Sequence, residues 1–189
     1  ILKDGKVFRF GTRKYANGDI YQGEFFNGKR EGFGKLFYSR SGDKYSGEWE
    51  QNLCHGKGCY VSGDFKFGCD GSRAQGYRYE GEYRNGAKHG NGLEYCRNGD
   101  TYQGAFENNL YQGTGRLQKV NGDIIIGEFF KNHLSGKCKI YYKNGDRYFG
   151  QVQRDVPHGD GHFLYKSPGG SYQGQYSNGV FHGYGIRTF

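Results

Sequence analysis

Residues 45–60 read YSGEWEQNLCHGKGCY, and this stretch decides the fold. Its first five residues have the period-2 alternation of a β-strand, which puts their tyrosine, glycine and tryptophan on one face. After a polar turn, Gly56 and Gly58 are again two residues apart and share a face. Glycine normally weakens a strand, so its recurrence at these positions indicates that a ring and a backbone approach closely. We therefore predict a hairpin in which inward-facing glycines form a shelf for an aromatic ring.

The same pattern recurs seven times, and the central glycines of the phrases lie at positions 23, 47, 81, 104, 127, 150 and 174. A nearly fixed period of this length is typical of repeat proteins. We predict one repeat array over residues 1–189, with residues 1–19 as a partial repeat and an insertion at about residues 64–75. The full repeats start near Tyr21, Tyr45, Tyr79, Tyr102, Ile125, Tyr148 and Tyr172.

Turn residues separate the predicted strands. Asn17-Gly18-Asp19 and three similar triplets predict tight type I′ turns, because Asn and Gly tolerate positive φ angles. Pairs such as Asn27-Gly28 predict looser turns inside each repeat. No window has a sustained helical period, so we predict an all-β fold without significant helix. Its expected form is an elongated, twisted, single-layer solenoid of antiparallel β-hairpins.

The composition agrees with a folded repeat protein. Gly accounts for 36 of 189 residues and aromatic residues for 18%, a combination that excludes both collagen and a disordered chain. No apolar run approaches the length of a membrane span. The chain starts at Ile1 and contains no Met, so we expect it to be a fragment of a longer protein. Five cysteines at irregular spacing do not fit a secreted disulfide scaffold, and we expect a cytoplasmic location.

The motifs resemble the MORN (membrane occupation and recognition nexus) repeat. The resemblance rests on the Tyr-X-Gly-Glu-aromatic phrase, the Asn-Gly-Asp turn and a His-Gly-X-Gly half that occurs at residues 55–58, 89–92, 158–161 and 182–185. The chain departs from this pattern at Ile125, which replaces the tyrosine, and at Cys138, which replaces the second glycine. The resemblance implies the solenoid fold. For function it implies a scaffold or dimerisation element in cytoskeletal or membrane-associated assemblies, a phospholipid-binding module, or a regulatory arm of a larger enzyme.

No catalytic constellation stands out. The histidines at positions 55, 89, 158 and 182 and the glutamates at positions 24, 48, 82 and 128 recur in register, which favours a structural role shared by all repeats. The Gly-X-Gly pairs lack the following helix that a dinucleotide fingerprint requires. We therefore predict that the chain is not an enzyme and requires no cofactor.

One set of residues could hold a metal. Cys54, His55 and Cys59 lie within six residues, and Cys69 of the insertion could fold back to complete a structural zinc site. The chain has no paired Cys-X2-Cys knuckles, and a buried cysteine often acts as a small apolar filler. Both interpretations stay open at this point.

The net charge of +8 suggests anionic partners. A basic cluster, predicted to bind anionic phospholipids, comprises Lys131, Lys137, Lys139, Lys143 and Arg147. The alternative is an ordinary solvated face that keeps the protein soluble. Nucleic acid is not expected, because the repeat itself requires the aromatic residues.

The last predicted strand has no polar cap. We expect it to pair with a second copy in a tail-to-tail homodimer. The predicted interface consists of Val180, Phe181, Tyr184, Ile186 and Phe189. Taken together, the sequence predicts a non-catalytic scaffold, homodimeric through its C-terminal repeats, in a cytoskeletal or membrane-associated assembly. A phosphoinositide- or anionic-membrane-binding module and a regulatory arm of a larger enzyme are the alternatives.

Overall fold

The computed structural model describes residues 2–3, 6–67 and 74–189, with side chains described from residue 7 onward in these ranges. The described residues form strands, turns and loops, and no helix occurs among them. The strands are β1 (Leu2–Lys3), β2 (Lys6–Val7), β3 (Arg9–Lys14), β4 (Ile20–Phe26), β5 (Lys29–Phe37), β6 (Lys44–Glu50), β7 (Leu53–Val61), β8 (Arg78–Arg84), β9 (Ala87–Tyr95), β10 (Thr101–Glu107), β11 (Leu110–Gln118), β12 (Ile124–Phe130), β13 (His133–Tyr141), β14 (Arg147–Gln153), β15 (Val156–Leu164), β16 (Ser171–Ser177) and β17 (Val180–Thr188).

The chain divides into two compact units. The first comprises Ile1–Gly99 and Phe106–Asn109, and the second comprises Asp100–Ala105 and Leu110–Phe189. In the first unit, strands β3 to β9 pair antiparallel, each with its neighbours in the chain. In the second unit, strands β11 to β17 pair in the same way. The predicted all-β fold of antiparallel hairpins is confirmed.

In the first unit, the register aligns one glycine of each strand from β3 to β9. Gly47 pairs with Gly34 on one side and with Gly58 on the other, and the row runs without interruption from Gly11 to Gly92. We call this the glycine row. The Tyr45 ring lies over Gly47 and Gly58, where Cβ atoms would collide with it. The shelf predicted from Gly56 and Gly58 is therefore formed by Gly58 and Gly47, while Gly56 contacts the Glu48 carboxylate instead.

The rings above the glycine row form the core of the first unit. They meet edge to face, with centroids 4.9 Å apart for Tyr45 and Trp49 and 5.3 Å apart for Tyr45 and Tyr83. Tyr21, Tyr45 and Tyr79 are almost completely inaccessible to solvent. We call this face of the sheet the inner face, and the opposite one the outer face. Edge-to-face pairs of this kind add about 0.5–1.5 kcal/mol each beyond the area that they bury.

A β-bulge follows the glycine in the tyrosine-bearing strands. In the pairing of β6 with β7 the register shifts between Gly47 and Glu48. The Tyr45 hydroxyl donates a hydrogen bond of 3.0 Å to the Glu48 carbonyl oxygen at this bulge. The same bond, from a tyrosine to the carbonyl three residues later, recurs in repeats of both units. The tyrosine hydroxyl thus satisfies a backbone group that the bulge removes from the strand ladder.

The two kinds of turn are the reverse of the prediction. The turns inside the repeats have two successive residues at positive φ, such as Gln51 at 47° and Asn52 at 71°, as a type I′ turn requires. In the Asn17-Gly18-Asp19 turn only Gly18 has a positive φ, and its N–H donates to the Tyr15 carbonyl oxygen. The sequence Asn-Gly suits either geometry, so the prediction of type I′ turns at the Asn-Gly-Asp triplets was wrong.

Side chains connect consecutive repeats at both ends of the strands. Asp123 accepts a 2.8 Å hydrogen bond from the Lys143 backbone N–H, 20 residues later. At the opposite ends of the strands, Asn52 accepts a 2.9 Å bond from the Arg30 N–H, and Asp155 accepts one of 2.7 Å from the Leu134 N–H. Side-chain acceptors in these turns therefore bond to the neighbouring repeat, and these bonds supplement the strand ladder.

Candidate binding surface

The recurring glutamates are used by the backbone. Glu48 Oε1 accepts a hydrogen bond of 2.8 Å from the Lys57 N–H, and Glu82 Oε1 accepts one of 3.0 Å from the Asn91 N–H. Gln151 makes the equivalent 3.0 Å bond to the Asp160 N–H through its amide oxygen. These bonds give the recurring carboxylates a structural role, and the glutamine shows that the position needs an acceptor rather than a charge.

The recurring histidines do not share one environment. In the described part of the chain, the buried Nδ1 atoms of His55 and His89 have no hydrogen-bond partner of good geometry, although that of His55 lies 3.0 Å from Glu50 Oε2. His158 and His182 are exposed. A different histidine, His133, lies 2.6 Å from Asp155 in an exposed pair. None of these contacts distinguishes one repeat as a reaction centre.

The structure does not bring the predicted zinc ligands together. Cys54 pairs with Trp49 on the inner face, where burial raises the pKa of its thiol to about 11. Cys59 pairs with Ser46 on the outer face. Cys69 lies outside the described residues, and among those described no three His, Cys, Asp or Glu side chains are placed to hold a metal ion. The bulge lies opposite the segment between Cys54 and Cys59, and the two cysteines lie on opposite faces of the sheet. Sequence spacing alone does not show this.

The predicted basic cluster is only partly assembled. Lys137 and Lys139 are both exposed and lie on the outer face of β13, and Arg147 lies beside them because it pairs with Tyr141. Lys131 is in the turn before β13 and Lys143 is beyond its other end. A nine-residue strand is about 30 Å long, so these two lysines lie far apart. The structure thus brings together three of the five predicted residues.

The predicted interface residues of the C-terminal strand are accessible. The exposed fractions are 91% for Tyr184, 72% for Ile186 and 97% for Phe189. Phe181 is 44% exposed because one side of its ring stacks on Tyr172, with centroids 3.7 Å apart. Among the described strands β17 pairs with β16 alone.

A groove on the outer face of the first unit was not predicted. It has a volume of about 440 Å³ and crosses strands β4 to β7. We call it the outer groove, and its side chains come from Ile20, Gln22, Lys35, Phe37, Lys44, Ser46, Cys59 and Val61. These residues become neighbours only through the strand register, so their positions in the sequence gave no signal.

A buried ion pair was also missed. Lys88 pairs with Glu94, whose side chain is 6% exposed, and the Tyr77 hydroxyl donates a 2.7 Å hydrogen bond to the same carboxylate oxygen. The Lys88 ammonium group lies 5.1 Å from the Phe106 ring centroid. Burial and the Glu94 carboxylate hold the pKa of the Tyr77 hydroxyl above its usual range. This pair fills a core position of the first unit with charge rather than with an apolar side chain.

Comparison with known proteins adds relatives. Alsin from Rattus norvegicus is 30% identical to this chain over 93 residues, which is 47% of the chain and 5% of Alsin. Alsin from Homo sapiens matches over the same length with the same identity. The chain thus spans a small part of the length of these relatives. A solved structure, the TCP domain of Drosophila melanogaster SAS-4 (dCPAP) in complex with a proline-rich motif of Ana2 (dSTIL), is 14% identical with a TM-score of 0.42, over 75% of this chain and 70% of that one.

The described part of the chain contains no helix that could cross a membrane. The MORN repeat is matched seven times, over residues 21–42, 45–66, 79–101, 102–124, 126–147, 148–167 and 172–189. These matches cover most of the chain and coincide with the hairpins of the structure. The chain belongs to the MORN repeat family.

Proposed function

We propose that this protein is a non-catalytic scaffold that self-associates through β17, as part of a cytoplasmic cytoskeletal or membrane-associated assembly. The observation that carries the proposal is the exposure of β17, in which all nine residues are exposed. Membership of a repeat family that binds proteins or membranes supports an interaction role. An open strand edge with apolar side chains is a template for pairing with another strand.

The edge strand of the first unit supports the choice of β17. Strand β3 carries Arg9, Arg13 and Lys14 among its six residues, and such charges discourage strand pairing. Strand β17 has Arg187 as its only lysine or arginine and contains no acid. Pairing of β3 with β17 would therefore bring cations together without an acid on either strand. A two-fold pairing of β17 with its own copy avoids this repulsion.

The exposed side chains of β17 suit such a pairing. Tyr184 and Ile186 are two residues apart and point to the same face, so in an antiparallel pair they would meet side chains of the second copy. Phe189 follows directly and is almost fully exposed. Association would bury these rings together with the open backbone edge.

The solution mass of the 189-residue chain tests this proposal. We expect light scattering across a dilution series to show a dimer, and Ile186→Glu to convert it to a monomer. Val156→Glu is the matched control, because Val156 is 40% exposed in the same unit but lies on β15. Thermal unfolding of each variant verifies that it is folded. A monomer at every concentration, or equal weakening by both substitutions, would refute self-association through β17.

Binding to anionic membranes is a second candidate, favoured by the three neighbouring cations Lys137, Lys139 and Arg147. Each charge near an anionic bilayer contributes about 1 kcal/mol. We expect Lys137→Glu with Lys139→Glu to abolish pelleting with phosphatidylserine or phosphoinositide vesicles. Lys131→Glu is the control, because Lys131 lies outside the group of three. Vesicle binding that both variants reduce equally would argue against this site.

A further inference from the structure

The outer groove has an apolar floor interrupted by two cations. Ile20, Phe37, Lys44 and Val61 form one cross-strand row, in which each residue pairs directly with the next. A second row, one pleat along the strands, contains Lys35, which pairs with Ser46. Ile20 and Phe37 are 38% and 37% exposed, so their side chains remain accessible to a ligand.

The lining of the groove is basic. Lys35 and Lys44 are exposed, and none of the residues that line the groove is acidic. The acids nearest to Lys35 along the strands are Glu24 and Glu48, two residues beyond its partners Gln22 and Ser46. Each of these carboxylates already accepts a hydrogen bond from a backbone N–H. An occupant of the groove would therefore place a carboxylate near the two lysines and apolar groups on either side of it.

The chain itself shows how a segment binds to this face. Residues 64–67 of the insertion lie on the outer face beside the groove, where Phe65 and Phe67 pack against Tyr95 with centroids 5.8 and 5.9 Å apart. Asp64 of the same segment pairs with Arg97 at 2.5 Å. The two phenylalanines thus dock on a ring of the outer face, while the acid is held by Arg97 in the turn after β9.

The insertion also marks one end of the groove. The Arg78 guanidinium lies 5.5 Å from the Phe67 ring centroid, and Arg78 pairs with Val61, the last apolar residue of the groove. Among the described residues, the chain's own segment covers the row at β8 and β9 and not at β4 to β7.

We propose that the outer groove binds a segment of a partner protein in which an acidic side chain lies between two apolar ones. Three strand spacings separate Ile20 from Val61, about 14 Å, and an extended chain covers about 13 Å between residues i and i+4. The pattern apolar-X-acid-X-apolar therefore fits the row with the acid beside Lys44. A fatty acyl chain fits less well, because Lys44 interrupts the apolar row between Phe37 and Val61 rather than lying at its end. This site belongs to the first unit and goes beyond the proposed self-association through β17.

Cys59 provides a direct test, because its thiol lines the groove. The probe is a panel of seven-residue peptides that contain the five-residue pattern apolar-X-Asp-X-apolar. The apolar residue is Val, Leu or Phe, and X and the two flanking residues are Ser. We expect bound peptide to slow alkylation of Cys59, measured by mass spectrometry, while alkylation of Cys96 in the same molecule serves as the reference. Cys96 is not part of the groove.

Charge reversal supplies the matched comparison. We expect Lys35→Glu with Lys44→Glu to weaken binding roughly tenfold, and a peptide with Lys in place of Asp to recover it. Lys57→Glu is the control, because Lys57 is exposed on β7, one of the strands of the groove, but does not line the groove. Recovery by the charge-swapped peptide shows that the variant is folded and that the contact is specific.

Three results would overturn the proposal. The first is an unchanged alkylation rate of Cys59 with every peptide up to about 1 mM. The second is equal weakening by the groove and control substitutions. The third is protection of Cys59 by phosphatidylcholine–phosphatidylserine vesicles and not by the peptides, which would assign the groove to a lipid surface. Each result is independent of the solution mass, so it leaves the proposed self-association untouched.

Discussion

The Tyr79 ring occupies the space that a side chain at Gly92 would need. A Cβ atom at Gly92 would lie 2.5 Å from the Tyr79 Cε2 and Oη atoms, and Tyr79 is completely buried. The ring cannot move away, because Tyr83 and Phe106 hold it edge to face at 5.1 and 5.0 Å. The glycine row is therefore a steric requirement of the tyrosine and not a source of flexibility.

We expect Gly92→Ala to lower the free energy of unfolding of the first unit by about 1–3 kcal/mol, because the added methyl group overpacks a rigid core. Gly11→Ala is the control. Gly11 belongs to the same glycine row, but its Cβ would meet only a Phe25 ring atom at 4.0 Å. Urea denaturation measures both. Equal loss in the two variants would contradict the steric explanation.

Because Glu48 acts as a hydrogen-bond acceptor, we expect its carboxylate oxygen to matter more for stability than its negative charge. Glu48→Ala leaves the Lys57 N–H without its 2.8 Å bond and should cost about 1–2 kcal/mol. Glu48→Gln should cost less, because glutamine makes this bond at Gln151 and Gln175. Urea denaturation of the three proteins distinguishes the cases. A loss in Glu48→Gln as large as in Glu48→Ala would show that the charge is required.

The buried pair of Lys88 and Glu94 predicts strong coupling. Lys88→Met should lower the free energy of unfolding by about 3–5 kcal/mol, because it leaves Glu94 buried and uncompensated. Adding Glu94→Gln should recover a large part of this loss. Arg97→Met, which removes an exposed pair with Asp64, should cost less than about 1 kcal/mol. Additive effects of the Lys88 and Glu94 substitutions in denaturation would refute the coupling.

One repeat replaces the ring and the glycine together. Ile125 takes the place of the tyrosine, and Cys138 takes a place in the glycine row of the second unit, between Gly127 and Gly150. Because the Ile125 side chain is smaller than a tyrosine ring, it leaves room for the Cys138 thiol. Ile125→Tyr and Cys138→Gly should therefore each destabilise the protein, the first by collision and the second by a cavity.

The double variant tests this exchange. We expect it to lose less than the sum of the single losses, by about 0.5–3 kcal/mol, because a tyrosine then meets a glycine as in the other repeats. A double-mutant cycle in urea measures the interaction. A sum of the single losses would indicate that the two replacements are unrelated.

Alkaline pH should weaken the second unit through the same cysteine. Burial raises the pKa of the Cys138 thiol from 9.0 to about 11. A raised pKa in the folded state favours the protonated thiol, so this contribution is intact below pH 9 and is lost as the pH rises towards 11. Cys138→Ala should flatten the loss of stability between pH 9 and 11. An identical slope in both proteins would contradict the assignment.

The hairpins could be predicted because their cause is local. Tyr45, Gly47 and Trp49 alternate within one strand, and the repeat period places their partners. The turn types could not, because Asn-Gly is compatible with two turn geometries and only the backbone of residues 15–19 decides between them. Local patterns therefore gave the elements but not their connections.

The candidate sites were harder to predict, because they depend on which strands lie side by side. The basic residues at positions 131 and 143 are close in sequence to Lys137 and Lys139, yet the length of β13 separates them. The outer groove joins residues from Ile20 to Val61 that only the register makes neighbours. The surroundings of the buried Lys88 could not be predicted for the same reason, because Tyr77 and Phe106 come from different hairpins.

The Gly63 N–H donates a hydrogen bond to the Asp43 carboxylate just before the insertion begins. Among the described residues, the two ends of the insertion are joined by bonds between Ser62 and Tyr77 and by a bridge between Lys66 and Gln75, and β8 then resumes the regular register. The insertion therefore leaves the strand pairing on either side of it unchanged, because β7 still pairs with β6 and with β8. This loop is consequently a graft point, where an epitope or a binding peptide could be added while the repeats on either side keep their pairing.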